Sequence, residues 1–312
     1  VKRVKVTVPA STSNLGPAFD CLGLALALHN ELTVTLYDEP GEPAIEIEGE
    51  GADQLSRGED NVVLKSMRTV LAGRTAGRLE LRCLNRIPLA RGLGSSAAAA
   101  VAGLFAANAL LDDNQLTREQ LLEYATAMEG HPDNVAPAIY GGLVASARAK
   151  DAWRSFPLKP HKDLRAAVCI PSFELSTAKA RSVLPDTYLR ADAVDNAGRA
   201  AILSTALERG LWERLPLAME DRLHQPYRAP LIPGFNAVLR AAREAGCGAA
   251  LSGAGPAMLA LGAPETLEAA GKAMVAAFAA HGVASGFLIL PVDKKGVAVT
   301  TVKSHERRLD HA

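Results

Sequence analysis

Residues Pro88 to Ala98 read Pro-Leu-Ala-Arg-Gly-Leu-Gly-Ser-Ser-Ala-Ala, and their types and spacing suit the binding of a phosphate. Gly92 and Gly94 remove two side chains where backbone must come close to a neighbour, and Ser95 and Ser96 stand where a helix would be capped. The run Ala97–Leu111 is rich in Ala and Leu, with Gly103 its one glycine and no proline. A glycine loop feeding a helix start presents unpaired N–H groups and about half a positive charge to an anion. The two hydroxyls can cap that helix or reach a metal carried by a bound phosphate.

Two common nucleotide motifs are excluded. The P-loop pattern requires Lys and then Ser or Thr after its last glycine, and no such triplet occurs. The dinucleotide pattern G-x-G-x-x-A is formally present from Gly92 to Ala97, with Asp112 and Asp113 near the expected acidic position. Its context fails. The strand-like run Leu79–Leu84 is separated from Gly92 by Asn85–Arg91, not by a tight turn, and Asp112 ends a helical run.

Four further stretches concentrate polar groups. Glu129-Gly-His131-Pro-Asp133-Asn134 places two carboxylates, an imidazole and an amide closer together than a turn needs. Metal spacing of the H-E-x-x-H kind is absent, so zinc is not read there. Pro9–Asp20 is a polar, turn-rich loop leading into the apolar Leu22–Leu28. Asp221-Arg-Leu-His224-Gln225-Pro-Tyr227-Arg228 is followed by Ala-Pro-Leu-Ile-Pro-Gly, a setting that favours a buried, partnered Arg228 over a solvated one. Ser252-Gly253-Ala254-Gly255-Pro256 reads as a turn between two strands.

On these residues the chain resembles the GHMP kinases, whose phosphate motif has the form P-x-x-x-G-L-G-S-S-A-A. Within that family it most resembles the homoserine kinases, over essentially the whole chain, through P-A-T-S-x-N-L-G-x-x-F-D, E-G-H-x-D-N-V-A-P and D-x-x-H-x-P-x-R. The resemblance implies ATP on Pro88, Leu89, Ala90 and Arg91, on the turn Gly92, Leu93 and Gly94, and on the helix start Ser95, Ser96, Ala97 and Ala98. It adds Gly253 and Gly255 against the phosphates and Asn61 near the adenine, where a helix cap explains Asn61 equally well. It implies Mg²⁺ held by Ser96 and Glu129. L-homoserine is expected among Asn14, Asp20, His131, Asn134, Thr177, Arg181 and Arg228. Asp20 takes its ammonium and the two arginines its carboxylate, a set that suits a zwitterion.

Phosphoryl transfer needs its phosphates cradled, its charge neutralised and the acceptor oxygen held in line. Asn134 is expected to orient the hydroxyl for direct attack on the γ-phosphate, Arg91 to screen phosphate charge, and Asp133 stands where sugar and mevalonate relatives carry a base. The homoserine kinase likeness implies no dedicated base and is preferred. The implied reaction is ATP-dependent formation of O-phospho-L-homoserine in threonine biosynthesis. A sister kinase would have no use for Asp20, Arg181 and Arg228, and a silent nucleotide sensor would not need Ser96 and Glu129. Ala257 stands where many relatives carry Ser or Thr, and Gln225 where many carry Glu.

These residues need a scaffold. The 312 residues are enough for about two domains, and 48% are hydrophobic. Lys and Arg total 34 and so do Asp and Glu, so no net field points to nucleic acid or a membrane surface. The four scattered cysteines contain no C-x-x-C and read as reduced thiols. No signal-peptide core or membrane-length run is seen, and a cytoplasmic protein is expected. The fold expected is α+β with two domains. Residues 1–157 form an ATP-binding mixed α/β domain with the phosphate loop, and residues 158–312 a ferredoxin-like one, the break lying near 150–165. Strands are expected at Lys2–Val8, Glu31–Tyr37, Ala44–Glu48, Leu79–Leu84, Leu164–Ile170, Gly248–Leu251, Ala257–Leu261 and Ser285–Leu290. Helices are expected at Asn61–Leu71, at Thr117–Met128 with the capping-box pattern Thr-Arg-Glu-Gln at its start, and at Glu174–Leu184, Ala193–Glu208, Leu211–Leu223, Pro233–Ala245 and Pro264–His281. Family likeness implies a homodimer.

Overall fold

The structure is a computed structural model that describes residues 1–73, 77–113, 115–150 and 152–302. Asp151 in the expected break, and the last ten residues of the second expected domain, lie outside the described residues. The first half runs β1 (Lys2–Ser13), β2 (Leu22–Leu36), β3 (Ala44–Gly49), α1 (Val62–Leu71), β4 (Leu79–Asn85), α2 (Ser95–Leu110), α3 (Arg118–Glu129), α4 (Val135–Tyr140), β5 (Leu143–Ala149) and β6 (Ala152–Leu158). The second runs β7 (Arg165–Pro171), α5 (Thr177–Arg181), α6 (Arg190–Arg209), α7 (Leu215–Ala218), α8 (Gln225–Arg228) and α9 (Phe235–Glu244). It continues with β8 (Gly248–Leu251), β9 (Met258–Leu261), α10 (Leu267–Ala279), β10 (Ser285–Pro291) and β11 (Ala298–Val302).

Alternation along β1 buries Val4, Val6 and Val8, and the strand becomes the second in a sheet ordered β11-β1-β2-β4-β3. β2 and β3 are not hairpin partners: β3 pairs in parallel with β4, and β2 lies between β1 and β4. The β1–β2 register jumps from Pro9 facing His29 to Ala10 facing Leu26, a bulge beyond which β2 also pairs with β5. That bend carries Ala10–Ser13 under the phosphate loop, where the Ser11 N–H donates to the Leu93 carbonyl at 3.1 Å. Helix α2 is apolar on all sides and is correspondingly buried, from Ala97 to Leu110. Its small side chains let it lie against β1 and α1 at once. The expected capping box on α3 is present, Thr117 accepting from the Gln120 N–H and Gln120 from the Thr117 N–H.

The second sheet is antiparallel, in the order β10-β7-β9-β8, which is the ferredoxin-like order. Its pleat divides two cores. Ala167 and Cys169 pack with Val238, Met274 and Phe278 of α9 and α10, while Ala166 and Val168 face the other way and join Leu203 and Leu207 of α6. Several features differ from expectation, among them the helix expected at Glu174–Leu184, which spans only Thr177–Arg181, and the strand expected at Glu31–Tyr37, which begins at Leu22. β6 occupies part of the stretch read as a break, and β11 returns from the far end to pair with β1. Leu211–Leu223 is not one helix: Pro216 falls in the first turn of α7, and a 3₁₀ turn, Trp212–Arg214, precedes it.

Candidate active site

The two halves meet at the glycine loop. Gly92 has φ +75°, and a Cβ there would lie 2.1 Å from the Ser252 carbonyl oxygen. Gly94 has φ +68°, and its Cβ would lie 2.1 Å from Ser11 Oγ. Both positions combine a left-handed backbone with a contact too close for any side chain, which is why glycine occurs twice. The β8–β9 turn grips the loop. Ser252 Oγ donates to the Gly92 carbonyl at 2.7 Å, and the Ala257 N–H donates to the Arg91 carbonyl at 3.2 Å. The first backbone N–H that α2 closes is that of Ala98, on the Gly94 carbonyl at 2.9 Å. The N–H groups of Ser95, Ser96 and Ala97 precede that bond, as a helix start requires, and these residues line a cleft of about 110 Å³. At its edge Ser96 Oγ donates to Glu129 Oε1 at 2.6 Å, so two hard oxygen donors stand side by side.

A second cavity of about 430 Å³ opens beside the first and shares Ala90, Ser95 and Ser96 with it. Ile47, Leu55, Val62, Leu89 and Ala99 give it apolar walls suited to a planar base. Asn61 lines it too, but its side chain is engaged in capping α1. Oδ1 accepts from the Val63 and Leu64 N–H groups at 2.9 and 3.3 Å, and Nδ2 donates to the Ser56 carbonyl at 2.7 Å.

The rest of the small cleft is charged. Arg228 is only 1% exposed, the largest fully buried side chain among the described residues. Its Nε donates to the Ala180 carbonyl at 3.0 Å, and its Nη1 to the Gly253 carbonyl at 3.3 Å and to His224 Nδ1 at 3.1 Å. Burial, then the charge of Arg181, brings its pKa down to about 10, where it still carries its proton at neutral pH. His224 is wholly buried and its pKa is lowered, chiefly by desolvation; with Nε2 donating to the Gly16 carbonyl at 2.8 Å, Nδ1 is free to accept from Arg228. Phe19 stacks on His224, and both guanidiniums lie over its ring, Arg181 at 5.6 Å and Arg228 at 5.3 Å. Arg181 also donates twice to Asp20, at 2.6 and 3.0 Å. Beyond Asp20 lie His131 and Asp133, joined by a short hydrogen bond, and ligand atoms of all three lie within 4.8 Å of one another. Burial would lower the His131 pKa, but its bond to Asp133 and that carboxylate's charge outweigh this and raise it.

Of the residues singled out from the sequence, Asn14, Asp20, His131, Asp133, Asn134, Thr177, Arg181 and Arg228 line this one cleft together with Pro88, Ala90–Ala97 and Glu129. Some of these residues also make structural bonds, and a few lie elsewhere. Asn14 Nδ2 donates to the Gly253 carbonyl and its Oδ1 accepts from the Asp20 N–H, both at 2.9 Å, so its amide buckles the loop. Arg91 donates to the Pro171, Leu89 and Ser172 carbonyls and pairs with Glu174 at 3.4 Å, so its fork ties the phosphate loop to β7. Ala98 is buried in the core, and Ala254 lines the cleft where Gly253 and Gly255 do not. Gln225 fastens the end of β8, its Oε1 accepting from the Leu251 N–H at 2.7 Å. Sequence reasoning passed over Ser11 and Ser13. Ser11 Oγ donates to Asn134 Oδ1, and Asn134 Nδ2 to Ser13 Oγ, both at 3.0 Å, which fixes the amide. Two serines at period two on a strand, ahead of a polar loop, were the available signal.

A glycine turn at a helix start, an oxygen-donor pair beside it and a charged pocket in the same cleft suit an ATP-dependent small-molecule kinase, and the relatives place the chain in that class. Residues 61–142 match the family profile of the GHMP kinases N terminal domain, and residues 203–281 that of the GHMP kinases C terminal. A homoserine kinase of Nostoc punctiforme is 43% identical over 299 residues, covering 95% of this chain and 98% of the relative. One of Moorella thermoacetica is 47% identical over 281 residues, covering 89% and 93%. The crystal structure of homoserine kinase from Cytophaga hutchinsonii matches with a TM-score of 0.86 at 33% identity, covering 96% of this chain and 97% of that one. The chain belongs to the GHMP kinases, in their homoserine kinase branch.

Proposed function

We propose that this protein transfers the γ-phosphoryl group of ATP to the side-chain hydroxyl of L-homoserine, giving O-phospho-L-homoserine and ADP. The observation that carries the reading is the convergence of Asp20, Arg181 and the buried Arg228 on the cleft that holds the phosphate cradle. A ligand with an ammonium, a carboxylate and a hydroxyl can satisfy both signs of charge and still direct its hydroxyl toward the cradle. The base of ATP is assigned to the apolar cavity and its phosphates to the N–H groups of Ser95, Ser96 and Ala97. Ser96 Oγ and Glu129 are the residues that would hold Mg²⁺, and two oxygen donors of this kind fit it. The ion's contribution when bound is to offset charge on the phosphate oxygens.

The Asn134 amide, held from both ends by Ser11 and Ser13, is assigned to orient the attacking hydroxyl. Asp133 is assigned to holding His131 and not to proton abstraction, because its carboxylate is hydrogen-bonded to an imidazole whose proton it stabilises. Positioning and fixed dipoles can carry much of a phosphoryl-transfer barrier without a base. Family likeness further supports a cytoplasmic homodimer, and light scattering against the 32.7 kDa protomer mass reads that assembly directly.

The test is ADP release from Mg-ATP with L-homoserine, beside parallel reactions holding mevalonate, galactose, L-serine and L-threonine. Turnover specific to homoserine supports the reading. Turnover with another alcohol alone keeps the kinase and discards the acceptor, and ATP binding without any turnover discards both.

A further inference from the structure

The two charges that would recognise the ends of the amino acid are already satisfied by each other. Asp20 lies in the loop between β1 and β2 and Arg181 closes α5 in the other half, yet Arg181 donates through both terminal nitrogens to the Asp20 carboxylate. Each side chain is about a third exposed or less, 28% for Asp20 and 35% for Arg181. Both are held in place from behind. The Asp20 N–H is fixed on Asn14 Oδ1, and the Arg181 guanidinium lies over the Phe19 ring.

We propose that the Asp20–Arg181 pair is an exchange latch that selects for zwitterions; the inference rests on the amino-acid acceptor reading. A ligand carboxylate that draws Arg181 away leaves Asp20 without its cation, in a pocket that already holds Asp133. A ligand ammonium that takes Asp20 leaves Arg181 without its anion, with the Arg228 charge over the same Phe19 ring. Breaking one side of a partly buried pair strands the other charge, so a ligand with a single charge gains one contact and abandons another. A zwitterion replaces both halves of the pair at once. The latch thus rejects hydroxy acids and amino alcohols by leaving a charge stranded, not by shape.

Charge exchange predicts a gain of function that ordinary pocket damage does not produce. The probes are homoserine, 4-hydroxybutyrate, which lacks the ammonium, and 3-aminopropan-1-ol, which lacks the carboxylate. Their dissociation constants are measured by ligand-observed NMR on the wild-type protein and on Asp20→Asn, Arg181→Gln and Asp133→Asn. Asn tolerates the φ of +57° at position 20 as Asp does. Asp20→Asn frees Arg181 and should bind 4-hydroxybutyrate about tenfold or more tighter than wild type, while homoserine weakens by at least about tenfold. Arg181→Gln should show the same gain for 3-aminopropan-1-ol. Asp133→Asn removes one negative charge from the same pocket without releasing Arg181, so its gain for 4-hydroxybutyrate should stay under about threefold.

Equal gains in Asp20→Asn and Asp133→Asn would reduce the effect to net charge and overturn the latch. So would the absence of any gain in both Asp20→Asn and Arg181→Gln while homoserine still binds the wild type. Failure of homoserine to bind the wild type strikes the acceptor reading itself, and the two failures are thereby told apart.

Discussion

Replacing Arg228 by Ala removes a guanidinium whose surroundings leave it no role as a surface charge. It is 1% exposed and donates to the Ala180 and Gly253 carbonyls and to His224 Nδ1. Two costs follow and can be separated. In the free protein three buried acceptors lose a donor; the Gly253 carbonyl keeps Asn14 Nδ2, while the Ala180 carbonyl and His224 Nδ1 each cost about 1–3 kcal/mol unless water enters the space the side chain leaves. The melting temperature should therefore fall. In the complex, on the proposed assignment, the substrate carboxylate loses a buried partner at about 3–5 kcal/mol, which is roughly 150- to 4000-fold in affinity. The homoserine KM should rise by that factor, with the ATP KM nearly unchanged and kcat reduced much less, because the contact is made in ground and transition states alike. Arg228→Lys keeps the charge but not the fork, and should fall between the two. Steady-state kinetics with each substrate varied in turn, on variants shown to be folded, decides it. A homoserine KM within about threefold of wild type in folded Arg228→Ala, or an equal rise in the ATP KM, would refute the assignment.

Other consequences are briefer. Ser11→Ala with Ser13→Ala frees both ends of the Asn134 amide; at about 1 kcal/mol per bond, kcat should fall roughly ten- to thirtyfold with the homoserine KM little changed. A larger rise in KM than fall in kcat would show that Asn134 binds and does not orient. Asp133→Asn should lower kcat by less than about a thousandfold; a greater loss at constant KM would make Asp133 the base. The folded His131 holds its proton more tightly than an unfolded one, so the stability this contributes is complete below about pH 6.5 and is lost as pH rises through the raised value. The stability gap between wild type and His131→Gln, followed by thermal melts across pH, should therefore narrow toward alkaline pH. A gap that widens there would reverse the assigned protonation.

What the sequence made legible was local. The glycine loop is recognisable because Gly92 and Gly94 sit against backbone and a serine with no room for a side chain, and such constraints leave a mark at the residue itself. The α3 capping box is a four-residue pattern and was read correctly. What escaped depends on partners distant along the chain. β11 is a strand because it pairs with β1, at the other end of the protein, and its own residues carry little periodicity to announce that. β6 contains Pro157 and follows a charged turn, so a real edge strand looked like a break. Side-chain roles divided in the same way. Arg228 was expected to be buried from its apolar neighbours, and it is. Asn14 and Arg91 line the cleft as expected of ligand-facing residues, but each also ties segments together, Asn14 Nδ2 donating to the Gly253 carbonyl and Arg91 to the Pro171 and Ser172 carbonyls, which no spacing rule could reveal. Asp20 and Arg181 were expected to face a zwitterion, and their charged groups are paired with each other.

The most direct test of the central claim is the identity of the product. Phosphorus NMR of a reaction containing the protein, Mg-ATP and L-homoserine should show a new phosphomonoester signal growing in step with ADP, split by the adjacent methylene protons, and no free phosphate. ADP accompanied by inorganic phosphate, or by a phosphate ester that forms equally well without homoserine, would contradict the account.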